Sequence, residues 1–369
     1  MSKKETQLEI IHHFDSGLCP PYEIQGSTLT FQSHPINVCL RNAPNGITVR
    51  VTPRESDRDL PMQGFMVSRN GLDYKTVPFQ EECDFSTPMT KGKLLSIQFH
   101  QGGDIWLATC YPYGRNALEQ LMCDTHGVSG VRTYLLRDEH RIVPVFEFGE
   151  DDGKKMIHFI VAGECAWETA GQWAGDAMIR ELCSNQTLSD RLLKNAVVVI
   201  VPHTSPFSST MPSGGYTTLE GKSIYGAATW GQETPPPEYA LIRERVEKAI
   251  QSRRLGLLLT LHSYKAQRPT SSMEAIQSAG ENELTGSRYE WTKQTLDRLI
   301  EDVPKASAAF PKKCWHAGLA REYLLRKYNV TTFRIEVTTY QSSMEFFQQT
   351  GQQLIRNISQ IADWSPVFP

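Results

Sequence analysis

Two periodicities divide the chain. Up to about residue 113, apolar and polar positions alternate over short runs: STLTFQ (27–32), NVCLRN (37–42), ITVRVTP (47–53), GFMVSRN (64–70), LLSIQFH (94–100) and DIWLATCYP (104–112). Alternation of period two, punctuated by Gly, Pro, Asn and Asp, predicts strands, and their spacing predicts an antiparallel sandwich. From Asn116 the pattern changes. NALEQLMCDTHG (116–127) reads as a short helix, and RTYLLRD (132–138), IVPVFEFG (142–149) and MIHFIVA (156–162) as strands. NAVVVIVPH (195–203), LGLLLTLHSY (255–264) and VTTFRIEVTTY (330–340) are further strands. Between them lie amphipathic stretches at 169–182, 235–253, 287–303, 320–329 and 343–364, the second opening on prolines that suit a helix start. Continuous apolar strands alternating with helices predict an α/β fold, a mostly parallel mixed sheet covered on both faces. The expected organisation is an all-β sandwich over residues 1–115 and an α/β domain over 116–369.

Composition narrows the partners. A chain of 369 residues with 40% hydrophobic content, 21% charge and a net charge of −3 is ordinary for a soluble protein. With no basic excess, nucleic acid and anionic membrane are excluded as expected partners. The N-terminus lacks a signal-like apolar core and no run is long enough to span a bilayer. Eight scattered cysteines without CxxC pairs read as free thiols, and a cytoplasmic location is expected.

The chemistry gathers at three strand ends. GECAWETAGQW (163–173) follows a buried strand and opens a helix, placing Cys165 and Glu168 at the turn; His262 closes LLLTLH and Glu336 sits in TTFRIEVTTY. A thiolate, a carboxylate and an imidazole make a three-ligand zinc set with a fourth position for water, and a further carboxylate suits a general base. A plainer account uses the same residues. In it Cys165 is a buried thiol, Glu168 a carboxylate favoured at a helix N-terminus, His262 a core histidine, and Glu336 the partner of a neighbour such as Arg334 or Lys265.

IVAGECAWETAGQW resembles the strand-and-turn motif of the M14 zinc carboxypeptidases, specifically their cytosolic branch. That motif is His-x-x-Glu; Glu168, Thr169 and Trp173 match it, and Cys165 stands where the first zinc histidine belongs. LTLHSY resembles the strand of the second histidine, giving His262, and RIEVTTY that of the catalytic glutamate, giving Glu336. GLAR, ending at Arg321, is similar to a Gly-Thr-Ala-Arg stretch of the same branch, and FDSG and YPYG resemble the ends of its N-terminal sandwich. The resemblance implies zinc held by Cys165, Glu168 and His262, with Glu336 activating water.

The departures matter as much. The family grips the substrate's terminal carboxylate with an Asn-Arg pair, and Ala227 and Ala228 stand in the corresponding segment. Its oxyanion arginine precedes that pair; here GGYTTLEG keeps Tyr216, a substrate-binding candidate, beside Thr217. No arginine occurs between Asn195 and Ile242, so a shifted alignment does not restore one. Lys222, Lys265, Arg268 and Arg321 are possible substitutes, with Arg321 taken as the second substrate-binding candidate. His203 lies where the family has an Asn-Pro-Asp-Gly turn and reads as a loop residue, with acid or ligand as its alternatives. The expected activity is a zinc-dependent amide or peptide-bond hydrolase acting on a small amide or modified peptide. Amide formation or acyl transfer in the same site, a non-catalytic binding protein on the same scaffold, and a Cys165 nucleophile with His262 as base remain open beside it.

Overall fold

The alternating N-terminal runs form two five-stranded sheets. Their strands are β1 (Glu9–Ile11), β2 (Tyr22–Gln25), β3 (Thr28–Phe31), β4 (Asn37–Ala43), β5 (Ile47–Val51), β6 (Gly64–Ser68), β7 (Lys75–Pro78), β8 (Ser86–Lys91), β9 (Leu94–Phe99) and β10 (Gly103–Ala108). One sheet runs β1-β4-β10-β6-β7 and the other β2-β3-β5-β9-β8. Inward residues of both, among them Leu40, Phe65 and Leu107 from one and Leu29, Val49 and Phe99 from the other, share one core. The pairings are antiparallel except that of β3 with β5. The computed structural model describes residues 7–14, 17, 19–32, 36–52, 64–78, 85–91, 94–137, 142–164, 168–204, 230–231, 235, 237–264, 273–277, 284, 286–309, 320–338 and 343–361.

The second region begins with α1 (Arg115–Thr125), then β11 (Val131–Arg137), β12 (Ile142–Phe148) and β13 (Met156–Ala162). It continues through α2 (Thr169–Ser184), α3 (Gln186–Leu193), β14 (Ala196–Val201), α4 (Pro237–Gln251), β15 (Leu255–Tyr264) and β16 (Met273–Gln277). It closes with α5 (Ser287–Leu299), β17 (Ala306–Ala309), α6 (Ala320–Tyr328), β18 (Phe333–Thr338) and α7 (Met344–Ile358). The eight strands order as β11-β12-β14-β13-β15-β18-β16-β17. β14, β13, β15 and β18 form a parallel centre, while β12 and β16 flank it antiparallel.

Continuous apolar strands arise because both faces are covered. Val198, Ile200, Leu259, Leu261 and Ile335 pack on one side with α2, α5 and α7. Val197, Val199, Val201 and Leu258 pack on the other with α4 and α6. Helix α2 lies against α7 so closely that a Cβ on Gly351 would come within 2.1 Å of the Ala174 carbonyl oxygen. Cys19, Cys39, Cys110, Cys123 and Cys183 are free, as expected. Among the described residues no helix is long and apolar enough to cross a membrane.

His158, in the middle of β13, is 1% exposed, and Gly256 on β15 leaves room for its ring. Burial pushes its pKa from 6.5 down to about 3. The unfolded chain therefore takes up this proton first as pH falls, so stability is unaffected above about 6.5 and declines between there and about 3. Between pH 7.5 and 5.5 this one group should cost about 1.4 kcal/mol. Urea unfolding at the two pH values should show that loss, and His158→Leu should remove it. An unchanged pH slope in the variant would assign the acid lability elsewhere.

Candidate metal centre

Glycines at two points bring the site's parts together. At Gly163, φ is +70°, and a Cβ there would lie 2.8 Å from His203 Nδ1. The chain thus turns sharply out of β13, placing Glu164 just past the strand and Glu168 at the N-cap of α2. At Gly171 a Cβ would lie 2.7 Å from the Leu261 carbonyl oxygen, so α2 settles directly on β15 beside His262. The Gly171 N–H donates to Ser263 Oγ at 3.2 Å, pinning that approach.

His262 and Glu336 are register partners on β15 and β18. Period-two alternation turns both away from the Leu261 and Ile335 face, toward the side covered by α4 and α6. Arg334, two residues before Glu336, shares that side and pairs through Nη2 with Glu336 Oε1. His262 Nδ1 lies 2.7 Å from Glu168 Oε2, and its Nε2 lies 2.9 Å from Glu164 Oε2. The other Glu164 oxygen accepts from Trp230 Nε1 at 2.8 Å, and the Tyr239 hydroxyl donates to the Glu164 carbonyl oxygen at 2.5 Å. Glu164, Glu168, His262 and Glu336 are all buried.

Electrostatics follow from that packing. For Glu164, burial is the largest influence and pushes the carboxyl up. The hydrogen bond and charge of His262, the Trp230 N–H and the Arg334 charge outweigh it and hold the group below its ordinary value. For His262, burial and then the Arg334 charge push down, but the Glu168 charge and the hydrogen bonds to Glu164 and Glu168 carry it up to about 9.

Sequence reasoning placed Glu168, His262 and Glu336 together, and here Glu168 touches His262 while Glu336 stands on the neighbouring strand. Cys165 and Tyr216 lie outside the described residues, as do Lys222, Ala227, Ala228, Lys265, Arg268 and the side chain of Arg321. Among the described residues no group of three or more His, Cys, Asp or Glu side chains is arranged to hold a metal. The donor set nevertheless suits a cation. Three buried carboxylates face one guanidinium and one imidazole, an anionic excess before Cys165 is counted. A carboxylate behind the far nitrogen of a histidine is also the usual support of a metal ligand.

Glu164 and Arg334 were missed as site residues. The signal for Glu164 is a charge at the mouth of an apolar strand, adjacent to the Cys-x-x-Glu spacing. Arg334 entered only as a structural partner of Glu336, and that pairing is present. His203, read as a loop residue, does lie beyond β14, but it is fully buried, its ring 6.2 Å from that of Tyr113, and burial pushes its pKa down to about 3.

No protein-family model matches the chain, and no curated protein matches it. Solved structures do. A metallo-carboxypeptidase from Burkholderia cenocepacia superposes with a TM-score of 0.76 at 14% identity, covering 96% of this chain and 98% of that one. A metallo-carboxypeptidase from Pseudomonas aeruginosa, in complex with (2-guanidinoethylmercapto)succinic acid, does so with 0.76 at 16% identity, covering 95% and 98%. At these identities the likeness is one of fold, and it spans the sandwich and the α/β region together.

Proposed function

We propose that the chain is a zinc-dependent amide or peptide-bond hydrolase related to the cytosolic carboxypeptidase branch, with specificity turned away from free C-terminal carboxylates. The observation that carries this is the buried Glu168–His262 pair at the end of the parallel strands, with Glu336 one strand away. Cys165, Glu168 and His262 would hold the metal, which when bound polarises the scissile carbonyl and makes water a better nucleophile.

The chain's own residues supply the rest. Glu336 takes the proton of the attacking water and returns it to the leaving amine. Arg334, paired with it, offsets its charge and brings a guanidinium to a site whose 195–242 segment has none. Burial excludes bulk water from these groups, which strengthens every charge interaction among them. The substrate that suits an arginine-free 205–237 segment is a small amide or a modified peptide. A cytoplasmic location is proposed with it. The Arg334–Glu336 pair favours a second reading, in which the carboxylate is structural and the scaffold only binds a ligand.

Metal analysis of protein purified without chelators tests the first reading. About one zinc per chain is expected, and cobalt substitution should give a thiolate charge-transfer band that disappears in Cys165→Ala. Protein without divalent metal would remove the hydrolase and leave the binding scaffold.

A further inference from the structure

Glu164 belongs to no part of the resemblance: it precedes Cys165 at a position the His-x-x-Glu motif leaves free. Yet it is held more firmly than a bystander at a turn. It is buried, with its Oε2 2.9 Å from His262 Nε2, its Oε1 receiving the Trp230 N–H at 2.8 Å, and its backbone oxygen receiving the Tyr239 hydroxyl at 2.5 Å. Trp230 is itself fully buried, and its carbonyl oxygen accepts from Arg243 Nη1 at 2.9 Å. Two elements distant in sequence thus converge to aim one carboxylate at the far side of one imidazole.

An imidazole has two nitrogens, and the partner of one decides the role of the other. Indole N–H is donor only, so Glu164 Oε1 is an acceptor. Oε2, 2.9 Å from Nε2, is placed to accept as well, so when a metal replaces the proton that Nδ1 shares with Glu168 Oε2, 2.7 Å away, the proton left on His262 sits on Nε2. Resting on the metal reading above, we infer that Glu164 is a positioning residue for the metal centre: it fixes the His262 tautomer and ring plane so that Nδ1 is the ligand atom. The same carboxylate adds electron density to the imidazole, so the centre holds its metal tightly.

The test is binding of cobalt ion alone, followed by absorbance, with melting temperature measured on each sample. Glu164→Gln has a single acceptor oxygen for two donors, Trp230 and His262, and should weaken cobalt binding by about 10- to 100-fold. Trp230→Phe removes the other hydrogen bond but leaves the carboxylate on His262, and should weaken cobalt binding per folded molecule several-fold less than Glu164→Gln does. A merely structural Glu164 gives the opposite pattern, with melting temperature lowered in both variants and cobalt affinity equal to the unsubstituted protein; that result overturns the inference. If Glu164→Gln does not fold, nitrogen-15 NMR of the zinc-loaded unsubstituted protein decides. A proton on His262 Nε2 supports the assignment, and a proton on Nδ1 overturns it. Failure of the unsubstituted protein to bind cobalt removes the metal reading and this one with it, whereas cobalt binding that is indifferent to Glu164 removes this one alone.

Discussion

Glu336→Gln is expected to keep its metal and lose turnover by about two or more orders of magnitude. The substitution preserves shape and still offers Arg334 an oxygen, but an amide does not accept a proton from water. Position supports the role: the side chain is buried, and His262 is its direct register partner on β15. It is not needed as a ligand, because Glu168 supplies the carboxylate of the proposed set. The competing account has equal geometric footing in the contact between Glu336 Oε1 and Arg334 Nη2. A buried ion pair that loses one charge leaves the other poorly compensated, so that account expects a lower melting temperature with turnover per folded molecule intact. Metal content, melting temperature and turnover on one Glu336→Gln sample separate the two. Full activity with metal bound would take Glu336 out of the chemistry.

The sheet centre was legible because burial on both faces writes itself into the sequence. Ala196–Val201 and Met156–Ala162 are nearly unbroken apolar runs, and each became a central parallel strand. Elements that bury little left no such trace. Strand β2 is exposed along its length, β16 (MEAIQ) is short and half polar, and β17 (ASAA) has weak strand propensity. Strand β8 carries Pro88, tolerable because it is a sheet edge. Helix α3 was missed although Asn185 caps it, its side chain accepting from the Leu188 N–H at 3.1 Å. The site divided the same way. Residues at strand ends were visible one at a time, whereas Glu164 acquires meaning only when Trp230 and Tyr239 fold onto it from more than sixty residues away.

Peptides ending in a free carboxylate are expected to be far poorer substrates than the same peptides ending in an amide, and Cys165→His should not reverse that order. A carboxylate entering this site meets Glu164, Glu168 and Glu336, while the guanidinium described there, that of Arg334, is already engaged by Glu336. The segment that would grip it contains no arginine, with Ala227 and Ala228 at the expected positions. Leaving a buried charge without its partner costs about 3–5 kcal/mol. At about 1.36 kcal/mol per decade, that is a loss of roughly two to nearly four orders of magnitude in kcat/KM. Cys165→His would alter the proposed metal ligand and its charge but adds no cation to the substrate's end. Comparing kcat/KM for matched acid and amide peptides in both proteins is the measurement. Efficient release of C-terminal amino acids by the unsubstituted protein would overturn the altered specificity, and would make Lys222, Lys265, Arg268 and Arg321 the cations to substitute next.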